Sequence, residues 1–289
     1  MKNTTKKPRT AAITASYSGL GFELSRLLLA NGYHLICIDR NEVKSAETRQ
    51  KLLSEYPQAA ISSVITNMAS PTSITQASEK ILKMIDELHL LFHVAGAATA
   101  QKQLSDRGNE LHFEVNTLGP IALTKALRPV LSASSNAVVV AVGSSAMKMT
   151  KVLNVASLAN PSTFRKMSGP YAQSKLAITT AFVAMSESYK ADNILLRIVD
   201  PGPSKTAMSA SDAMPWFVRL IRRWFPLPHI GAQKIFSAGQ SKKYGTETGI
   251  YIERDAIAKL PSAAIDRATQ SALMTLIEEC EQASSKAAP

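Results

Sequence analysis

The chain has 289 residues, of which 45% are hydrophobic and 19% are charged. These values indicate one soluble α/β domain or two smaller domains, and they exclude a disordered or fibrous chain. The formal net charge of +11 suits phosphates, nucleic acids or anionic membranes without choosing among them. The basic residues Lys2, Lys6, Lys7 and Arg9 occur without an acidic neighbour, so we expect residues 1–9 to form a basic flexible arm.

The composition also narrows the cellular setting and the kind of chemistry. Cys37 and Cys280 lie far apart, which argues against a disulfide framework and favours a reducing compartment such as the cytoplasm. The five histidines lack the ligand spacing of a zinc site, so no metal is expected. Neither a signal peptide nor a run of roughly 20 apolar residues is found. We therefore expect a cytoplasmic protein whose membrane contact, if it has any, is peripheral.

Short apolar runs alternate with helical patterns over the first 200 residues. The apolar runs predict strands at 10–15, 33–38, 61–65, 88–96, 137–142 and 194–199. Helical patterns lie between them at 19–31, 42–55, 71–86, 107–132 and 170–190. Strands that are apolar on both faces and alternate with helices indicate a parallel sheet covered on both sides. The sequence therefore predicts an α/β fold, a doubly wound parallel β-sheet of Rossmann type with about seven strands.

The alternation loosens after the sixth strand. Residues 207–244 are helical but irregular, GIYI at 249–252 is the expected last strand, and 262–283 contains a final helix. No internal repeat or low-complexity linker divides the chain. The simplest organisation is one domain at 10–260, which includes the irregular segment as a lid, followed by a C-terminal helix and tail at 261–289.

A Gly-x-Gly turn joins the first strand to the first helix. Glycines at such a junction let a pyrophosphate approach the N–H groups of the helix N-terminus, although a plain turn is the alternative. Asp39 ends the second strand 18 residues after Gly21, the spacing of a carboxylate that binds an adenosine ribose. Arg40 follows directly and favours the 2′-phosphate of NADP. We expect NAD as the preferred cofactor, with NADP or a surface Asp–Arg turn as the alternatives.

The candidate reactive groups lie in the second half of the sheet. Tyr171 and Lys175 are four residues apart in a predicted helix, so their side chains share one face. A nearby ammonium group lowers the pKa of a phenol, which then exchanges protons with a carbonyl or alcohol oxygen. Ser144 follows the strand at 137–142, where α/β sheets bind ligands. Asn116 is a polar amide within an apolar helical pattern. For each of these residues, a purely structural role is the alternative.

Taken in order, these features resemble the short-chain dehydrogenase/reductase family over residues 9–206, and more weakly as far as 255. The resemblance implies a catalytic set of Asn116, Ser144, Tyr171 and Lys175. In such a set the serine positions the substrate oxygen and the tyrosine is the acid or base. The lysine holds the nicotinamide ribose and lowers the tyrosine pKa, and the asparagine supports a proton-relay water. Ser144 is preferred to Ser145 because of its distance from the preceding strand.

The same resemblance implies cofactor contacts at the glycine-rich turn, at the end of the second strand and in the turns after the third, fourth and sixth strands. These residues are Thr14, Ser16, Gly19, Leu20, Gly21, Asp39, Arg40, Asn67, Met68, Ala95, Gly96, Tyr171, Lys175, Pro201, Gly202 and Thr206. Of these, Thr206 is expected at the nicotinamide carboxamide. The Pro-Gly loop is expected to form a wall beside the nicotinamide.

Three positions depart from the family pattern. Ala15 replaces the first glycine, which costs about 1 kcal/mol if the backbone there needs a positive φ. His93 and Val94 replace two asparagines after the fourth strand, so that corner of the sheet must be built differently. Asn67 replaces an acid and can still bond adenine. The departures at Ala15 and at His93 with Val94 motivate an alternative, an NAD(P)-binding sensor or scaffold with this fold and little or no activity.

Two further segments are expected near the site. An insertion at 147–168 either shapes substrate choice or caps an exposed surface. Residues 214–227 contain both tryptophans, with Phe217, Leu220 and Trp224 on one apolar stripe and arginines beside it. Core packing, a lid over a lipophilic substrate and a helix resting on an anionic membrane are three interpretations.

The sequence therefore predicts an NAD(P)-dependent oxidoreductase that interconverts an alcohol and a ketone or aldehyde by hydride transfer. Its C-terminal part is weakly similar to retinol-dehydrogenase-like members of the family, which act on lipophilic substrates, and a small lipophilic alcohol or carbonyl compound is the expected partner. The resemblance further implies a homo-oligomer joined through two long helices. No nucleic-acid partner is expected.

Overall fold

The computed structural model describes residues 8–286. Lys2, Lys6 and Lys7 of the predicted arm and the last three residues of the predicted tail lie outside the described residues. The strands of the described part are β1 Thr10–Thr14, β2 His34–Asp39, β3 Ile61–Ile65, β4 Leu90–His93, β5 Ala137–Val142, β6 Ile194–Asp200, β7 Ile250–Glu253 and β8 Ala256–Ala258. They form one sheet in the order β3-β2-β1-β4-β5-β6-β7-β8.

This sheet confirms the predicted doubly wound α/β fold. Strands β1 to β7 pair in parallel, and β8 pairs antiparallel with β7. The strand order reverses between β1 and β4, which is where such sheets bind ligands. β4 is shorter than the predicted strand because residues 94–96 leave the sheet beside this reversal. The three-residue β8 was not predicted, since an apolar run of three residues is too short to indicate a strand.

Helices cover both faces of the sheet. In the described chain they are α1 Gly19–Ala30, α2 Glu42–Glu55, α3 Pro71–Met84, α4 Leu111–Phe113, α5 Gly119–Ala126, α6 Arg128–Ser132, α7 Pro170–Lys190, α8 Ala207–Ala210, α9 Trp216–Ile221, α10 Pro228–Gly239, α11 Ser241–Tyr244, α12 Ser262–Ile265 and α13 Arg267–Lys286. Polar side chains cap the first three, because Ser18, Asn41 and Ser70 each accept a backbone N–H of the first turn.

The helix predicted at 107–132 is three helices and a π-helical turn. The carboxylate of Glu110 accepts hydrogen bonds from the backbone N–H groups of His112 and Phe113, so helical structure begins at α4 and not at 107. The π turn at Glu114–Leu118 carries Asn116 and leads into α5. π turns of this kind often occur at functional sites.

Two apolar layers hold the helices to the sheet. One layer contains Ile121 and Phe182, which are fully buried and pack against side chains of β5 and β6. The other lies on the α1 and α10 side and contains the fully buried Leu24 and Ile235. Because both sheet faces are covered, the open position is the edge where the parallel strands end.

The C-terminal helix α13 lies across α5 and α7. Its side chains Leu273 and Ile277 are fully buried in the layer that contains α7. Lys125 of α5 donates two hydrogen bonds of 2.8 Å to the carboxylate of Glu281. α13 therefore covers part of α7, one of the two long helices through which the resemblance implies an oligomer.

We expect the protein to be a monomer of 31.1 kDa in solution, because α13 packs on α7 and would have to move before that helix could join two subunits. Size-exclusion chromatography with light scattering, at several protein concentrations, measures this mass. A dimer in which α13 is still protected from hydrogen exchange would contradict the expectation and would show that another surface joins the subunits.

Candidate active site

The carboxyl ends of β1, β2, β3 and β4 border a cleft with a cavity of about 480 Å³. Ala15 and Arg40 line it on one side, Asn67 lies at the end of β3, and Gly96 follows β4. Met208 of α8 closes it from the other side. A volume of this size is typical of small-molecule and cofactor sites.

The glycine-rich turn is built for close approach of backbone. A Cβ atom at Gly21 would lie 2.1 Å from the carbonyl oxygen of Ala15, so no other residue fits there. A Cβ at Gly19 would lie 3.3 Å from Thr206, which places the loop after β6 directly against this turn. Ala15 has φ 59°, in the left-handed region that the family glycine would occupy without strain. The turn is retained with alanine, at a cost of about 1 kcal/mol.

Two predicted cofactor residues of the first strand and helix face the protein interior. The hydroxyl of Thr14 accepts hydrogen bonds of 2.9 Å from the N–H groups of Val94 and Ala95, so it joins β1 to the turn after β4. Leu20 packs against the sheet layer beside Gly231 of α10. These two side chains hold the glycine-rich turn in place. The cleft is lined by the neighbouring residues Ala15 and Tyr17.

The corner that departs from the family pattern is closed by a buried histidine. His93 lies at the end of β4, and its Nε2 is 2.8 Å from the hydroxyl of Thr124. That hydroxyl donates to the carbonyl of Pro120, so the imidazole Nε2–H is the donor to Thr124. Burial lowers the pKa of His93 to about 3, which keeps the ring neutral.

This burial predicts a pH-dependent contribution to stability. The pKa of His93 is about 3 in the folded protein and about 6.5 in an unfolded chain. Between these values only the unfolded chain binds the proton, so the free energy of unfolding falls as pH decreases through this window. His93→Gln keeps an N–H donor and should make that dependence shallower. Urea unfolding at roughly pH 7 and roughly pH 5 measures the free energy of unfolding of both proteins. An equal change in that free energy between the two pH values, in the native protein and in the variant, would contradict this expectation.

Asp39 does not face the cleft as its spacing predicted. Its carboxylate is fully buried and accepts hydrogen bonds from the backbone N–H of Ser16 at 2.7 Å, the hydroxyl of Ser16 at 2.6 Å and the hydroxyl of Ser45 at 2.8 Å. Burial raises the pKa of Asp39, and these hydrogen bonds oppose the increase. The exposed Arg40 lines the cleft in its place.

The candidate reactive groups converge at the ends of β5 and β6. Ser144 follows β5, and its hydroxyl lies near the phenol of Tyr171, whose pKa it lowers. Lys175 Nζ lies 6.0 Å from the centre of the Tyr171 ring and donates to the carbonyl of Val142 at 2.7 Å. A Cβ atom at Gly96 would lie 3.8 Å from the same Nζ, so the lysine borders the cleft.

Burial dominates the ionisation of this pair. It raises the pKa of Tyr171, and the hydrogen bond from Ser144 opposes the increase. It lowers the pKa of Lys175 to about 8, and the negative charge of Asp200 opposes the decrease. The sequence predicted that the ammonium group would lower the tyrosine pKa, but removal from water is the larger effect here. At neutral pH the phenol is therefore protonated.

Asn116 braces the segment that borders the cleft. Its Oδ1 accepts from the N–H of Ala97 at 2.8 Å, and its Nδ2 donates to the carbonyl of Ala97 and the hydroxyl of Ser174. The amide thus ties the segment after β4 to α7. In this arrangement the protein itself satisfies the amide that the resemblance assigned to a relay water.

Three buried polar residues of the site are not among those that the sequence predicted. The carboxylate of Asp200 accepts from the N–H groups of Ser145 and Gly202, so it joins the serine turn to the Pro-Gly loop. His112 packs edge-on against Tyr171 with 5.9 Å between ring centres, and its Nδ1 lies 2.6 Å from Glu110. The i, i+4 spacing of His112 and Asn116 on one helix was the available signal.

The other predicted residues lie in the turns after β3, β4 and β6. Asn67 and Met68 line it after β3, and Ala95 lines it after β4. Gly202 has φ 79°, which lets the loop at Pro201 turn sharply back toward the sheet. Thr206 caps α8 through a reciprocal pair of hydrogen bonds with Ser209.

The insertion at 147–168 is anchored to α7. The amide of Gln173 donates to Thr150 and to the carbonyl of Val152, and it accepts from the N–H of Asn154. Between the insertion and the start of α7 lies a second cavity of about 240 Å³. Because Tyr171 stands in the same first turn of α7, the insertion forms part of the surroundings of the reactive groups.

Within residues 8–286, no group of three or more His, Cys, Asp or Glu side chains could hold a metal ion. None of the helices in this range combines the length and the apolar character that crossing a membrane requires.

Comparison with known proteins identifies relatives of the chain. The profile of the short chain dehydrogenase family matches residues 9–214. Human polyprenol dehydrogenase is 29% identical over 235 residues, which cover 78% of this chain and 70% of that protein. NADPH-bound carbonyl reductase from chicken fatty liver has a TM-score of 0.65 at 20% identity, covering 86% and 97%. The 3-ketoacyl-(acyl-carrier-protein) reductase of Brucella melitensis, complexed with NADH, has a TM-score of 0.65 at 17% identity, covering 85% and 96%.

Proposed function

Because the chain belongs to the short-chain dehydrogenase family, we propose that it interconverts a lipophilic alcohol and its ketone or aldehyde by hydride transfer. The family consists of NAD(P)-dependent oxidoreductases that act on CH–OH or C=O groups. The observation that carries the proposal is the convergence of Ser144, Tyr171 and Lys175 beside the cleft. Without that convergence, the fold alone would not indicate a reaction.

The residues around the cleft fit a nicotinamide dinucleotide. The glycine-rich turn carries no side chain at Gly19 and Gly21, and α1 begins at Gly19, so the N–H groups of the helix N-terminus lie at the turn that a pyrophosphate would approach. Gly96 leaves room beside Lys175 in the same way. When bound, the nicotinamide would supply or accept the hydride. Lys175 has N–H groups beyond the one bonded to Val142, and these would hold the ribose.

The proton is handled by the side chains of this chain. Tyr171 is protonated at neutral pH because burial raises its pKa, so it can donate to a carbonyl oxygen during reduction. The single O–H of Ser144, which lies near the same phenol, can turn to donate a second hydrogen bond to that oxygen. The ammonium group of Lys175 stabilises the phenolate that remains. In the oxidation of an alcohol the proton moves in the opposite direction.

We expect Tyr171→Phe to lower kcat by about 100-fold or more, because it removes the proton donor and keeps the ring. Turnover is followed by NAD(P)H absorbance over a panel of ketones and aldehydes, and cofactor binding by calorimetry. The matched control is Tyr189→Phe on the same helix, whose buried hydroxyl has no hydrogen-bond partner among the described residues. Undiminished turnover in Tyr171→Phe would sink the assignment.

Within this function we propose NADP(H) as the preferred cofactor, contrary to the expectation from the spacing of Asp39. Three hydrogen bonds from Ser16 and Ser45 hold the Asp39 carboxylate inside the protein, where it has no exposed surface. Arg40 lines the cleft and is exposed, so its guanidinium can pair with a 2′-phosphate. Lys44 lies 5.8 Å from the ring of Tyr17 and adds positive charge at this end.

Arg40→Gln should therefore raise the Kd for NADPH by about tenfold or more and leave that for NADH nearly unchanged. The reason is that only NADPH carries the 2′-phosphate. Calorimetric titration of both cofactors measures the ratio, with Arg49→Gln on the same side of the sheet as the control. An unchanged ratio of the two Kd values in Arg40→Gln would contradict the NADP assignment.

The alternative of a non-catalytic sensor depended on Ala15 and on His93 with Val94. The turn at Ala15 is retained, and Thr14 and Thr124 supply the hydrogen bonds of the altered corner. Neither departure involves the reactive groups, which favours the enzyme. The lipophilic nature of the substrate draws support from Leu111 and Val115 in the cleft lining and from the polyprenol dehydrogenases among the relatives.

A further inference from the structure

The segment at 216–230 exposes an unusual amount of apolar surface. In the part of the chain that the structure describes, fourteen large apolar side chains are exposed, and six of them lie in this segment. They are Trp216, Leu220, Ile221, Trp224, Leu227 and Ile230, and we call them the lid surface. Trp224 is 67% exposed and Leu220 is 63% exposed. Core packing therefore does not account for these side chains. The side chain of Phe217, which the sequence placed on the same stripe, is not among the described ones.

Positive charge is concentrated in the same part of the chain. Residues 201–243 contain seven Lys or Arg residues and one acidic residue, Asp212, so they carry more than half of the net charge of +11. Asp212 forms an ion pair of 2.7 Å with Arg219. Arg223 stacks on the ring of Trp224, with 4.1 Å to the ring centre. Basic side chains thus lie directly among the exposed apolar ones.

We propose that the lid surface docks on a membrane that contains anionic phospholipids. Indole and aliphatic side chains enter the headgroup region of a bilayer, and guanidinium groups beside them pair with lipid phosphates. A second copy of this chain is a poorer occupant, because its own lid surface would bring arginine against arginine. Charge complementarity therefore selects an anionic lipid surface.

The lid surface is connected to the cleft by Arg222. Its guanidinium donates to the hydroxyl of Ser209 at 3.1 Å and to the carbonyl of Thr206 at 3.3 Å. These two residues cap α8, whose Met208 lines the cleft. A docked membrane would therefore lie next to the opening through which a lipophilic substrate reaches the site. This last step rests on the proposed function, whereas docking itself does not.

The test is co-sedimentation of the full chain with vesicles of phosphatidylcholine, with and without phosphatidylglycerol. One variant, Leu220→Ser with Trp224→Ser, removes exposed apolar groups. A second, Arg219→Gln with Arg223→Gln, removes charge and spares Arg222, which bonds to α8. We expect the native protein to prefer the anionic vesicles, salt to weaken that binding, and each variant to reduce it by about tenfold or more.

The matched control is Ile257→Ser with Ile265→Ser, which removes two side chains of 53% and 55% exposure outside the lid surface. It should bind vesicles as the native protein does. Circular dichroism verifies that every variant is folded. The proposal is overturned if the native protein does not bind anionic vesicles or if both lid variants bind them equally well. Light scattering that shows a dimer lost in the apolar variant would assign the lid surface to a second copy.

Turnover of a water-soluble ketone in buffer without vesicles is the separate readout. The lid variants should retain it, since the reactive groups are untouched, and Tyr171→Phe should lose it. Vesicle binding without any turnover in the native protein would refute the proposed function and leave docking intact. Turnover without vesicle binding would refute docking alone.

Discussion

A single buried ammonium group sets the geometry of the site. Lys175 on α7 donates to the carbonyl of Val142, the last residue of β5, and this contact fixes the catalytic helix against the end of the sheet. A charge at that depth is costly unless acceptors and counter-charges surround it, and Val142 and Asp200 supply them. Tyr171 stands one turn earlier on the same helix. The position of the Tyr171 phenol therefore follows from the hydrogen bond and the counter-charge that hold Lys175 in place.

The need of a buried charged group for hydrogen-bond partners also explains how Asp39 and Arg40 are oriented at the other end of the cleft. A carboxylate at the end of β2 could face either the cleft or the interior. The carboxylate of Asp39 faces the interior because the hydroxyls of Ser16 and Ser45 donate the hydrogen bonds that water would otherwise supply. Arg40 is then the charged group that remains exposed. The burial of Asp39 thus depends on two serines that spacing rules for the acid do not consider.

The sheet could be predicted from the sequence because apolar runs such as AVVVAV leave only one placement, buried on both faces. The candidate reactive set could be predicted because its residues lie on short, regular segments. Side-chain partners across the fold could not be predicted in this way. The start of α4 depends on the carboxylate of Glu110, and the amide of Asn116 is satisfied by Ala97 and Ser174. These contacts join residues that no local pattern relates.

The surroundings of the lid surface could not be predicted from a local sequence pattern either. An amphipathic stripe has one sequence pattern whether its apolar face meets protein or lipid, so the sequence alone left three interpretations open. The exposure of these side chains argues against core packing, because a stripe packed in a core would bury Leu220 and Trp224. Their exposure has an energetic cost in water that burial in a headgroup region would remove. The adjacent arginines then supply the reason why that region should be anionic.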